Sequence, residues 1–161
     1  MSAICGPILN KNSLLRPILV VEDNDMDLDL CMQAFEEHAI ANPVFACRDG
    51  EEAIQFIDAH STPEHSNLPL LVLLDLRLPK VDGIEVLRYA RAHPVWRQVP
   101  FIILTTSRQN GDISAAYDIG VNSYIVKPVD FVSFSKVVKY IKLYWILTNE
   151  PPFAAHRGEV T

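Results

Sequence analysis

The sequence predicts an open, doubly wound α/β domain built from five βα units. Three observations predict it. Strand-length apolar runs alternate with stretches of helical periodicity along the whole chain. The central run, Leu70 to Leu74, is apolar without interruption, as a parallel strand covered on both faces must be. Turn and cap residues punctuate each change of period. Parallel strands require right-handed crossovers, and these put helices on both faces of the sheet.

The elements follow in order. Ile18 to Val21 is a β-branched strand. Asp25 to His38 is a helix with Leu28, Cys31, Met32 and Phe35 on its inner face. Val44 to Cys47 is the second strand, and Asp49-Gly50 turns the chain into a helix from Glu51 to His60 with Ala53, Ile54 and Ile57 inward. Phe45 and Phe56 read as core. Ser61 to Pro69 is polar and proline-containing, a long loop for this position. After the central strand, Asp82-Gly83 opens a helix to about Ala92. Phe101 to Leu104 is the fourth strand. Asp112 to Ile119 is helical and stops at Gly120, a good residue for a left-handed cap. Ser123 to Val126 is the fifth strand, and Asp130 caps a last helix that runs to about Leu147 before Pro151-Pro152. The expected organisation is an N-terminal extension (1–15), one domain (16–148) and a flexible tail (149–161).

A chain of 161 residues with 49% apolar content suits one domain with a substantial core. Its formal charge of −6 and the lack of a basic run argue against nucleic-acid binding, which needs clustered Lys and Arg. Cys5, Cys31 and Cys47 lack metal-ligand spacing and read as free thiols in a reducing compartment. No secretory signal and no membrane-length apolar run is visible, so the expectation is a cytoplasmic protein that makes no membrane contact. His38, His60, His65, His93 and His156 are scattered and away from the strand ends.

Open α/β sheets place their sites beyond the carboxyl ends of the strands. Glu22 and Asp23 follow the first strand, Asp75 the third, Thr105 the fourth and Lys127 the fifth. One such acid would read as a cap or turn residue. Three carboxylates, a hydroxyl and an ammonium at the ends of four apolar strands ask for more. Clustered carboxylates repel unless a cation compensates them, and magnesium, a hard divalent cation with oxygen ligands, suits Asp23 and Asp75, with Glu22 direct or through water. A carboxylate oxygen of Asp75 can then attack phosphorus. Lys127, Thr105 and the backbone amides of Arg77 and Thr106 supply donors for the charge that spreads over the phosphoryl oxygens.

These residues carry a resemblance. Val-Glu-Asp-Asn at 21–24, Leu-Asp-Leu-Arg-Leu-Pro at 74–79 with Asp-Gly at 82–83, Leu-Thr-Thr-Ser at 104–107 and Tyr-Ile-Val-Lys-Pro at 124–128 resemble the receiver domain of two-component response regulators, over roughly residues 16–147. The resemblance implies a flavodoxin-like sheet of order 2-1-3-4-5. It implies Asp75 as phosphoacceptor, Glu22 and Asp23 as the acidic metal pair, the Arg77 backbone carbonyl as a further metal ligand, Thr105 and Lys127 as phosphate partners, and Tyr124 as an aromatic switch coupled to Thr105. It also implies Mg2+ as cofactor and a peptide before Pro128 that is typically cis, although sequence leaves that isomer open. The segments 121–131 and 142–152 are similar to those of stand-alone regulators that partner bacterial, often cyanobacterial, phytochrome-type histidine kinases. Output would then come from phosphorylation-dependent protein contacts rather than a DNA-binding domain.

The aromatics Phe131, Phe134, Tyr140, Tyr144, Trp145 and Phe153 exceed what a solvated helix needs, and predict a homodimer through the last helix and the fifth-strand side of the sheet. Other readings fit less well. A phosphatase on this fold needs a second acid near the nucleophile, and two residues after Asp75 stands Arg77. The expected catalysis is confined to self-phosphorylation and slow self-hydrolysis. A nucleotide module needs glycines after the first strand, where Asp-Asn-Asp-Met-Asp (23–27) stands. A degenerate scaffold would lack the acceptor or the lysine.

Overall fold

The computed structural model describes residues 6–9, 15–62 and 68–152. Its elements are β1 (Pro7–Leu9), β2 (Ile18–Val21), α1 (Asp25–Glu37), β3 (Val44–Cys47), α2 (Gly50–Ala59), β4 (Leu71–Leu74), α3 (Gly83–Ala92), β5 (Phe101–Thr105), α4 (Asn110–Ile119), β6 (Ser123–Val126) and α5 (Phe131–Ile141), which a π-helical turn (Lys142–Ile146) prolongs. The sheet order is β1-β3-β2-β4-β5-β6. The five strands from β2 onward are all parallel, and counted from Ile18 they stand in the expected order 2-1-3-4-5.

The side-chain period of two divides the core into two layers. Val72 and Leu74 of β4, with Phe101 and Ile103 of β5, face a cluster with Phe56 and Ile57 of α2, Val86 and Leu87 of α3, and Ala116 of α4. Leu71, Leu73, Ile102 and Leu104 face the opposite cluster, with Leu28, Cys31 and Phe35 of α1 and Phe134, Val138 and Ile141 of α5. Cys31 and Cys47 are buried and outside any disulfide among the described residues, and burial pushes the Cys31 thiol up to about 12.

Helix starts follow their sequence signals. The side chains of Asn24, Asp49 and Asp130 accept from the backbone N–H of Asp27, Glu52 and Ser133 at 3.0, 2.8 and 2.8 Å. Gly120 ends α4 at φ 106°, the left-handed conformation glycine adopts at no steric cost. Arg91 ties α3 to the loops flanking β5 and β6. It donates to the carbonyls of Gly120 and Val99 and to Asn122 Oδ1 at 2.9, 2.8 and 2.8 Å, with its guanidinium 5.2 Å from the centre of the Phe101 ring.

Several particulars depart from the sequence expectations. Residues 1–15, set apart as an extension, hold β1, which pairs antiparallel with β3. A three-residue strand carries too little pattern to read, and its proline is tolerated because the strand is an edge. Met32, Ile54 and Phe45 are partly buried at the margins of the layers. Thr105 closes β5 instead of following it, and α4 begins at Asn110. The described residues contain no cis peptide, so the bond before Pro128 is trans, the isomer ordinarily favoured even before proline. Part of the loop after α2, the end of the tail, Cys5, His65, Phe153 and His156 lie outside the described residues.

Candidate functional site

Register brings the predicted residues together. Val21 pairs with both Cys47 and Leu74, Leu74 with Ile103, and Thr105 with Val126, so the carboxyl ends of the central strands lie on one rim. Glu22, Asp75 and Lys127 each occupy the first position past their strand, and Thr105 the last position within its own. Asn24 takes the cap of α1, which leaves both acids before it free of that duty.

The Lys127 ammonium is the hub. It donates to Glu22 through a short contact, to Asp75 Oδ2 at 3.2 Å and to Asp27 Oδ2 at 3.1 Å. Glu22, Asp75, Thr105 and Lys127 are all buried, whereas Asp23 opens to solvent. One oxygen from each of Glu22, Asp23 and Asp75 lies within 4.8 Å of the others. Burial raises the Glu22 carboxyl to about 7 against the hydrogen bond and charge of Lys127. Burial also works to lower Lys127, but the Glu22 hydrogen bond and the charges of Asp75, Glu22 and Asp27 outweigh it, and the ammonium is held above its ordinary range. Four carboxylates around one ammonium leave surplus negative charge. Oxygen donors converging on a partly open space suit a divalent cation, which compensates that surplus.

The loop after β4, which begins with Asp75, is closely packed. Gly83 opens α3 so close that a Cβ there would stand 2.3 Å from the Asp75 carbonyl oxygen and 2.7 Å from the Leu76 Cα. Gly50, opening α2, would meet the Val81 carbonyl oxygen at 1.8 Å. Two helix N-termini thus clamp one loop, and only glycine fits at either. The Asp75 side chain receives the Arg77 N–H at 3.4 Å.

A second set of contacts leads away from the rim. Ser107 N–H reaches Thr105 Oγ1 at 3.5 Å, and the Tyr124 hydroxyl donates to the Ser107 carbonyl at 3.0 Å. Ser107 Oγ and the Arg77 guanidinium both donate to Asp112 Oδ2 at 2.5 Å. Sequence reasoning missed Asp27 and Asp112. Asp27 lies one helical turn after Asp23, a spacing that could have found it. Asp112 looked like any acid in a helix's first turn.

An α/β domain with clustered acids, a buried lysine and a buried hydroxyl at its strand ends is equipped to accept a phosphoryl group rather than to bind a nucleotide. Comparison with known proteins makes the assignment: the response regulator receiver domain matches residues 18–139, and the chain belongs to that family. It is 42% identical over 135 residues to the probable methanogenesis regulatory protein FilR2 of Methanothrix harundinacea, covering 84% of this chain and 86% of that one. It is 36% identical over 137 residues to the response regulator Rcp1 of Synechocystis, covering 85% and 93%. Among solved structures, phosphorylated RcpA, a cyanobacterial phytochrome response regulator, superposes with a TM-score of 0.78 at 35% identity, covering 85% of this chain and 98% of that one. Mn2+-bound Rcp1 superposes with a TM-score of 0.77 at 35% identity, covering 86% and 99%. The chain is thus a single receiver domain resembling stand-alone regulators, a signalling module rather than a metabolic enzyme, whose general role is to be phosphorylated by a kinase. Among the described residues, no helix is long and apolar enough to cross a membrane.

Proposed function

We propose that Asp75 accepts a phosphoryl group from the phosphohistidine of a sensor histidine kinase, of phytochrome type as the relatives suggest, and that the modified chain signals through protein contacts. The observation that carries this reading is the Lys127 ammonium 3.2 Å from Asp75 Oδ2, inside a cluster of acids suited to a divalent cation. A carboxylate oxygen of Asp75 forms the new P–O bond as the P–N bond to the donor imidazole breaks. Mg2+ is the cation, held by Asp23, Asp75, the Arg77 carbonyl and Glu22, and when bound it supplies positive charge to the transferring oxygens. Lys127 neutralises a second oxygen, and the Thr105 hydroxyl donates to a third. Slow self-hydrolysis is the only other reaction this site needs.

A protein donor suits the surroundings. Met26 beside the acidic pair and Val129 and Val132 beyond Lys127 are exposed apolar side chains. Asp27, Lys127, Val129 and Phe131 line a common cleft, so a docking helix would find apolar surface next to the acceptor.

For output, Tyr124 couples Thr105 to the face of β6 and α5, and that face forms a homodimer. A groove of about 560 Å3 runs between them, lined by Ile125, Val137, Tyr140, Tyr144 and Trp145. Tyr140 and Tyr144 are more than half exposed, far from the state of core aromatics. The test is intact-mass spectrometry after incubation with acetyl phosphate and Mg2+. Wild type should gain one phosphoryl group, and neither Asp75→Ala nor wild type with chelator should gain any. Equal labelling of Asp75→Ala would remove Asp75 from the role. Light scattering with and without phosphodonor tests the dimer, and a monomer in both at high concentration would exclude it.

A further inference from the structure

We propose that Arg77 is a phosphoryl-binding side chain held in reserve, and that Asp112 is the residue that holds it. The proposal rests on Asp75 being the acceptor. The Arg77 backbone N–H lies 3.4 Å from Asp75 Oδ1, so its side chain is rooted beside the reacting carboxylate. Its guanidinium is nevertheless turned to Asp112 in the first turn of α4, at 2.5 Å. The same Asp112 oxygen accepts from Ser107 Oγ at 2.5 Å, and the Ser107 carbonyl accepts from Tyr124 at 3.0 Å. One carboxylate oxygen thus joins the acceptor loop, the loop after β5 and helix α4, and the Ser107 carbonyl extends the chain of contacts to strand β6.

A phosphoryl group on Asp75 changes the competition. It brings roughly −1.5 to −2 charge and three acceptor oxygens against the single charge of Asp112. Guanidinium binds phosphate with two parallel N–H donors, a geometry that a single contact to Asp112 does not use. Arg77 crosses to the phosphoryl group, Asp112 is left with Ser107 alone, and the loop carrying the Ser107 carbonyl is free to move away from Tyr124. The ion pair is disposable because its cation is open to water: the Arg77 side chain is 53% exposed, while that of Asp112 is 19% exposed. Exposed pairs are weak enough for a new anion to displace. Asp112 is therefore a positioning residue that sets both how readily Arg77 meets the donor and when α4 is released.

The experiment is a double-mutant cycle on the full chain, with acetyl phosphate and Mg2+ and intact mass as the readout of rate. Asp112→Asn keeps a hydrogen-bond acceptor for Ser107 but loosens Arg77, and should speed acceptance roughly two- to fivefold, the scale of a part-exposed ion pair. Arg77→Gln should slow it by a similar factor, with Arg77→Lys in between. The double variant should match Arg77→Gln alone. In the unphosphorylated chain without metal, Asp112→Asn should also shift the Ser107 and Tyr124 amide resonances toward their positions in phosphorylated wild type. An acceleration by Asp112→Asn that survives in the Arg77→Gln background would overturn the proposal, as would amide resonances that stay in place. Wild type that accepts no phosphoryl group would instead refute the acceptor assignment, so the two failures are distinguishable.

Discussion

The strand that carries Asp75 and the strand that carries Tyr124 are separated by a single neighbour, yet they live in different surroundings. All four residues of β4 are buried, while all four of β6 are only partly so. β4 has partners on both sides, and β6 is an edge. The loop after β4 is wedged between the two helix-opening glycines, whereas the loop between β5 and α4 is lined by exposed residues from Arg108 to Asn110 and held by the partly buried Ser107 and Asp112. A phosphoacceptor needs fixed geometry against metal and lysine, and a switch needs a neighbour that can take two arrangements. With Asp75 as the proposed acceptor and Tyr124 as the proposed switch, the molecule divides these demands between its centre and its edge.

The most forceful way to break that division is to open a cavity on each side. Leu74→Ala, at a fully buried position, should cost about 2–5 kcal/mol in chemical denaturation, and Ile125→Ala in β6 no more than about 1 kcal/mol. Equal losses would mean that the edge is as tightly packed as the centre. Metal comes next. Mg2+ at a hundredfold excess over its dissociation constant should stabilise wild type by about 2.7 kcal/mol, and Asp23→Asn should lose most of that gain at the same concentration. A thermal shift retained in full by Asp23→Asn would place the cation elsewhere.

Glycines give a paired test. Gly83→Ala puts a Cβ into the Asp75 carbonyl and should cost about 1–3 kcal/mol while slowing phosphoryl acceptance. Gly111→Ala on α4 meets nothing within 4 Å and should stabilise by about 0.4–1 kcal/mol with acceptance unchanged. Similar penalties at the two sites would remove the contrast between clamped centre and open edge.

The same contrast explains what could be read from sequence. Asp75 and Lys127 were legible because each follows a run whose apolar pattern marks the end of a strand, and the fold rule then points at that rim. Central strands announce themselves through uninterrupted apolar runs, and the cap Asp130 through residue type; Asp49, read as a turn residue, proves also to cap α2. Asp112 was not legible, because an acid in the first turn of a helix serves the helix dipole whether or not it also holds an arginine. Nor was β1, whose hydrogen bonds to the β3 backbone leave almost no trace in side-chain choice. Lys127 was foreseen, but its third partner Asp27 depends on how α1 leaves the rim, which is a matter of tertiary geometry. What patterning encodes is the position of a residue along its own element. Contacts between loops belong to the assembled fold.

The finest test of the centre-and-edge contrast removes one oxygen atom. Tyr124→Phe deletes the hydroxyl that donates to the Ser107 carbonyl and leaves the ring, which packs against the cluster shared with α2, α3 and α4, in place. A single neutral hydrogen bond at a half-buried site should be worth about 0.5–1.5 kcal/mol, so the fold should survive with a small loss. Acceptance at Asp75 should not slow, because the glycine clamp on the acceptor loop does not involve β6 and loss of the Tyr124 hydroxyl leaves the Arg77–Asp112 pair in place. The regulatory consequence is the opposite of a loss. If the bond belongs only to the unphosphorylated arrangement, removing it shifts the balance toward the other one by that same amount, which is roughly two- to tenfold in population. Dimerisation through β6 and α5, followed by light scattering without phosphodonor, should then strengthen by up to that factor in Tyr124→Phe. Weaker dimerisation, or a slower reaction at Asp75, would show that the hydroxyl serves both arrangements.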